Sequence, residues 1–115
     1  MAALTFSEDG GSANLDAPDP SAGFTTTARR HGDEWVISGG NAFTTNGYSW
    51  EGEGPEFFSV ACRAGDGPSD QTLSVIVVPG DSPGIPYDPS LDTLGHCACL
   101  SPRMMFDEVR VPAGP

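Results

Sequence analysis

The sequence contains no lysine. Its five positive side chains are all arginines (Arg29, Arg30, Arg63, Arg103 and Arg110), set against 16 acidic residues for a formal net charge of -11. A chain so poor in positive charge has no electrostatic footprint for nucleic acid or for an anionic membrane surface. Long apolar runs are missing too. The longest, Val75-Ile76-Val77-Val78, stops at Pro79, far short of the ~20 residues that cross a bilayer. The first residues carry neither the basic nor the apolar stretch of a secretion signal. Three cysteines are an odd number, and Cys97-Ala98-Cys99 lie too close to pair readily with each other. A disulfide framework is therefore not expected, and a reducing, cytoplasmic setting is.

Large apolar residues are also scarce. Leu, Ile, Val and Phe number 22 in 115 residues, against 15 Gly and 11 Pro. With this net charge, such a composition falls at the edge of the disordered range. The pattern argues the other way. No helical period is sustained anywhere, whereas short β-branched and aromatic runs recur between Gly, Pro, Asp and Ser clusters.

The runs predict strands. Phe24 to Arg30 is followed by the turn His31-Gly32-Asp33 and the strand Trp35-Val36-Ile37. Ser38-Gly39-Gly40-Asn41 reads as a second turn, and Ala42-Phe43-Thr44-Thr45 as a strand closed by Asn46-Gly47. Phe58, Val60 and Cys62 alternate with Ser59 and Arg63, giving one buried and one wet face. Leu73 to Val78 is apolar on both faces and is expected to lie centrally. Near the end, Met105, Val109 and Val111 are expected on one face, with Phe106, Glu108 and Arg110 on the other. Residues 8–22 and 48–56 read as polar loops. The expected fold is one all-β domain over residues 1–115, an antiparallel Greek-key barrel or sandwich of about six to eight short strands with long polar loops.

Four pieces, in this order, resemble the middle β-barrel domain of the acyl-CoA dehydrogenase and oxidase flavoproteins. They are Ala3-Leu4-Thr5 with the acidic loop ending at Gly10-Gly11-Ser12; Gly32 to Gly39 running on to Phe43-Thr44-Thr45-Asn46-Gly47; Leu73 to Gly84; and Leu94-Gly95 with Phe106 to Pro112. The resemblance implies FAD as cofactor, an acyl-CoA or related thioester as substrate, flanking helical domains and a homo-oligomeric parent. It implies flavin contacts by Leu4, Thr5, Phe43, Thr44 and Thr45, and substrate contacts by Gly11 and Ser12. Matching Thr5 to the threonine of the family's Thr-Glu-Pro segment leaves Phe6 at the glutamate position and requires a one-residue insertion. Phe43 stands where tryptophan is commoner, and Asn41 where lysine is. The carboxylate that removes the substrate's α-proton in the family has no counterpart here, so the chain is expected to be catalytically incomplete alone.

Other chemistries are weaker. His96, Cys97 and Cys99 lack a fourth metal ligand at a recognisable spacing, so no metal is expected. Glu51, Glu53 and Glu56 sit in a Gly-rich loop with no apolar setting to shift them, and read as a solvated acidic loop. Two alternatives stand beside the flavoprotein reading: a standalone, non-catalytic β-sandwich binding module, and the equivalent domain of a flavin monooxygenase or oxidase. The grouping of Thr5 with Phe43-Thr44-Thr45 distinguishes the flavoproteins from a generic sandwich, which has no reason to place them together.

Overall fold

The computed structural model describes residues 1–10, 15–19, 22–88, 91–96 and 98–114. In chain order its elements are β1 (Ala2–Thr5), β2 (Thr27–His31), β3 (Glu34–Asn41), β4 (Phe57–Arg63), the single-turn α1 (Ser69–Thr72), β5 (Leu73–Pro79), β6 (Tyr87–Asp88) and β7 (Arg103–Pro112). The seven strands form one sheet ordered β1-β4-β2-β3-β7-β6, with β5 on the other side of β4, and the sheet curls into a half-barrel. The all-β expectation holds, and so does the number of strands. The Cα radius of gyration is 14.0 Å, close to the ~13 Å of a compact chain of this length. The composition therefore misleads about disorder.

The antiparallel expectation does not hold throughout, because the sheet is mixed. β2–β3, β3–β7, β4–β5 and β6–β7 are antiparallel, but β1 runs parallel to β4, from Ala2 opposite Phe57 to Thr5 opposite Val60. β2 also meets β4 in parallel, at the single pair Thr27–Arg63. Alternation along a strand reveals which face is buried and says nothing of direction. Only a tight turn forces neighbours antiparallel, and none links β1 to β4.

β5 covers one whole edge of β4, so β1 and β2 must share the other edge, one after the other. β5 itself is an edge strand, not a central one. Its Val78 is buried, while Leu73, Val75 and Val77 stand 37, 59 and 59% exposed. A run apolar on both faces signals burial on both faces, and among the described residues nothing covers the second.

Two irregularities reset the side-chain faces. β3 does not turn at Ser38-Gly39-Gly40-Asn41 but continues through it. Gly39 adopts φ 148° against Thr26, where a Cβ would lie 2.5 Å from the Thr26 Cα. Between Ile37–Val109 and Gly39–Phe106, β3 advances two residues and β7 three. This bulge contains Glu108 at φ 51°, and the Asp107 N–H leaves the ladder to donate to the Gly84 carbonyl. The extra residue puts Met104 and Phe106 on the same buried face as Val109 and Val111, while Met105 points outward. A strict period of two predicts the opposite for Met105 and Phe106.

The core gathers Ala3, Ala28, Ile37, Phe58, Val60, Cys62, Val78, Met104, Phe106, Val109 and Val111. Phe58 and Phe106 meet edge to face at 5.9 Å. Residues 42–47 form a loop and not a strand. That loop sets out from the end of β3 where the candidate site lies.

Candidate functional site

The segment after β1 and the loop after β3 are held side by side. The Ala42 N–H donates to the Ser7 carbonyl at 2.8 Å, and the Thr44 N–H to the Pro102 carbonyl at 3.1 Å. These bonds grip Phe43 from both sides and keep it at φ 54° with its side chain 58% exposed. A non-glycine residue in this region costs of order 1 kcal/mol, and an exposed phenylalanine recovers little of that by packing. The loop closes by a Gly47 N–H bond to the Thr44 carbonyl. Gly47 admits no larger residue without movement, since its Cβ would lie 3.0 Å from Met104 Sδ and 3.1 Å from Pro102 Cγ.

The residues singled out in the sequence separate into two groups. Phe43 and Thr45 are exposed on the loop, with Thr44 buried between them. Leu4 and Thr5 fall on opposite sides of β1. Leu4 is exposed, whereas Thr5 is fully buried with its hydroxyl directed at the Ser59 carbonyl, 3.5 Å away. It is Ser7, exposed and bonded through its carbonyl to Ala42, that lies next to the Phe43 loop. Gly11 and Ser12 lie outside the described residues, as does Cys97.

Two further residues escaped sequence reasoning. Glu8 is buried, and its carboxylate accepts the Thr25 N–H and Thr25 Oγ1–H at 2.6 Å each and the Thr26 N–H at 3.0 Å. These bonds clamp the post-β1 segment to the approach to β2 and so fix the position of Ser7. Phe6 adds an edge-to-face contact with the buried Phe24, centroids 5.0 Å apart. Asn41, the last residue of β3, is 1% exposed, and neither its amide nitrogen nor its oxygen has a partner among the described residues; nor does the Thr44 hydroxyl. The signal for Glu8 was present as Ser7-Glu8-Asp9.

Around the loop the surface is aromatic. An open cleft of about 230 Å³ beside Asn46 is lined by Met1, Tyr48, Trp50, Cys99 and Leu100 among others. Tyr48 and Tyr87 stack at 4.4 Å, and the side-chain hydrogen bond between the two phenols is the main cause that raises the Tyr87 phenol above its ordinary pKa. Deeper in, burial pushes the Cys62 thiol up to about 11, with the Glu8 charge adding to the shift. Cys62 is therefore a protonated core thiol and not a nucleophile. Among the described residues no three metal-ligating side chains cluster. Among the described residues no helix is long and apolar enough to cross a membrane.

Phe43, Thr45 and Ser7 are exposed, and Asn41 and Thr44 carry polar atoms without partners, all on this loop, at the end of β3 or on the segment bonded to it, a set suited to a planar ligand with a polar edge. Buried polar groups without partners are rare, and a bound polar group is one way to satisfy them.

Comparison with known proteins agrees with that chemistry. No family model matches the chain. It is 34% identical to a nitroalkane oxidase of Podospora anserina over 97% of its own length and 29% of the relative's. It is also 34% identical to a cyclohexane-1-carbonyl-CoA dehydrogenase of Geobacter metallireducens, over 99% of its own length and 27% of the relative's. Among solved structures, a probable acyl-CoA dehydrogenase from Mycobacterium abscessus superposes with a TM-score of 0.76 at 31% identity, covering 98% of this chain and 27% of the other. The chain thus spans less than a third of the length of these relatives.

Proposed function

We propose that this chain, which belongs to the flavoprotein family of acyl-CoA dehydrogenases and nitroalkane oxidases, forms the wall of an FAD site that faces the isoalloxazine ring and the substrate channel. The observation that carries the proposal is Phe43, an exposed aromatic ring held at positive φ by a backbone bond on either side, with the Thr45 hydroxyl next to it. Strain of this kind persists where surrounding contacts over-determine it and where a function uses the result.

Each residue has a physical task. The Phe43 ring offers a flat apolar surface against which a planar cofactor packs without water between them. The exposed hydroxyls of Thr45, on the same loop, and of Ser7, on the segment bonded to it, are available as short donors, each worth about 1–3 kcal/mol once desolvated. Ser7, and not Thr5, has the donor role after β1, because the Thr5 side chain is spent on the strand interior. FAD, when bound, would supply the hydride-accepting redox chemistry. The chain has no matching base, so its part is to bind, orient and exclude water, and the proton acceptor comes from a helical segment outside it. An acyl-CoA or related thioester is the proposed substrate, with Gly11 and Ser12 beside it. A homo-oligomeric parent in the cytoplasm completes the reading, which the free thiols of Cys62 and Cys99 support.

The oxidase branch is a second reading, favoured by the superposition on the Podospora anserina nitroalkane oxidase at a TM-score of 0.80 and 32% identity. A domain exchange tests both. This chain, replacing the matching segment of that oxidase, is expected to give a yellow protein with flavin absorbance; a folded but colourless chimera would sink the proposal. In the yellow chimera, Thr45→Val and Ser7→Ala should each slow flavin reduction about ten-fold or more. Thr5→Val should leave the reduction rate unchanged, and a loss of rate there would return the donor role to Thr5. Oxygen consumption on nitroalkanes set against turnover of acyl thioesters separates the two branches.

A further inference from the structure

Positive charge is the scarcest property of this chain, and the fold gathers most of it in one place. Arg29, Arg30 and Arg63 line an open cleft of about 390 Å³ together with Trp35, Ala28 and Asp66. The cleft belongs to the Thr27–Trp35 end of the β2–β3 pair, away from the loop that carries Phe43. Outside it, Arg103 and Arg110 are each neutralised, by Asp9 at 2.5 Å and Glu34 at 3.2 Å. Inside it, neither Arg29 nor Arg30 enters a salt bridge among the described residues. Arg30 donates from Nε to the Gly32 carbonyl at 2.9 Å and sits 5.7 Å over the Trp35 ring. Both contacts orient the guanidinium, and neither cancels its charge.

The cleft lies where the sheet forks. β4 touches β2 only at Arg63–Thr27, and the chain then turns away through Ala64-Gly65-Asp66. From Ala28 to His31, β2 is paired with β3 alone, so among the described residues its other edge is open. An open edge presents backbone N–H and C=O groups at the spacing of a sheet ladder. An entering segment would continue the line that β4 abandons at Arg63.

We propose that this cleft is the docking site of an extended acidic peptide segment of a partner protein, which adds to β2 along Ala28–His31 as an edge strand. Backbone pairing provides the grip and carboxylates on the arginine forks provide the selectivity. The charges decide the occupant. A second copy of β2 would set arginine against arginine, so the residues that recruit an acidic strand reject the same strand from another copy. Asp66 on the rim disfavours an acidic residue at its own end, which directs the acidic positions of the segment toward Arg29 and Arg30.

The test uses the whole 115-residue chain and a fluorescein-labelled, eight-residue peptide of alternating glutamate and threonine. Fluorescence anisotropy should show binding that falls steeply with added salt and weakens at least ten-fold in Arg29→Glu. Arg29 is exposed and outside every ion pair, so the variant keeps its fold, which circular dichroism verifies; Arg29→Gln should fall between it and the parent. Hydrogen exchange should slow on binding at residues 28–31 and not along β5. Equal binding of a lysine–threonine peptide, an unchanged affinity in Arg29→Glu or no protection along β2 would overturn the proposal. Displacement of the peptide by an equal concentration of ATP would overturn it in favour of a phosphate site. Self-association that occludes the cleft without peptide would overturn it in favour of a second copy.

Discussion

Replacing Glu8 with glutamine probes the clamp that positions Ser7, at a cost that can be worked from the geometry. Oε2 accepts two bonds from Thr25 and Oε1 accepts one from the Thr26 N–H. A glutamine can keep only one of these oxygens. The better orientation keeps the Oε2 position and points the new amide nitrogen at the Thr26 N–H, leaving a donor facing a donor at a fully buried residue. An unsatisfied buried donor costs about 1–3 kcal/mol, and loss of the charge weakens each remaining bond by roughly 0.5–1 kcal/mol. Relief from burying an ionised carboxylate returns part of this. The expected net loss is about 2–3 kcal/mol, out of a total stability on the order of 5–15 kcal/mol. In urea titration followed by tryptophan fluorescence, the midpoint should fall by about 2 M at an unchanged slope, given a slope near 1–1.5 kcal/mol/M for a domain of this size. Thr25→Ala should cost less and be partly non-additive with Glu8→Gln, because the two changes share a bond. A midpoint within 0.3 M of the parent would show that the clamp contributes nothing net, and the reasoning that ties Ser7 in place through Glu8 would fail with it.

Two further outcomes are expected. Gly39→Ala should destabilise the chain by more than about 3 kcal/mol, by strain at φ 148° and a collision with the Thr26 backbone 2.5 Å from the new methyl; a soluble variant with the parent's urea midpoint would contradict the bulged path of β3. With iodoacetamide at pH 8 and peptide mapping, the half-buried Cys99 should be alkylated and Cys62 spared, since its thiol titrates at about 11. The sign of its linkage to stability follows from that shift. The folded state holds the Cys62 proton more tightly than the unfolded state, so this contribution is intact below pH 9 and is lost as pH rises toward 11, a fall that Cys62→Ala should remove.

Some local information was read correctly: the turn at Gly32-Asp33, the β-branched run of β5, and the alternation that buries Phe58, Val60 and Cys62; the turn at Ser38-Gly39-Gly40-Asn41 was not, because β3 runs through it. What remained hidden depends on partners distant in sequence. Strand direction for β1 and β4 is set by a pairing 55 residues apart, as Ala2 meets Phe57. The β7 bulge needs Gly84 to take the Asp107 N–H, and nothing near Asp107 announces it. The candidate loop was legible as the contiguous run Phe43-Thr44-Thr45. The burial of Thr5 and the exposure of Ser7 were not, because they depend on the pairing of β1 with β4 and on the contact of Glu8 with Thr25-Thr26, 17 and 18 residues on.

β5 is open in two ways at once. Its outer edge carries no strand among the described residues, and its outer face shows Leu73, Val75 and Val77. Sheet edges are commonly guarded by lysine, and this chain has none to place there. Arginines stand along β2, so these two open edges are treated in opposite fashion: one repels its own kind, the other is adhesive. A chain whose β5 is left uncovered is therefore expected to associate through this strand first.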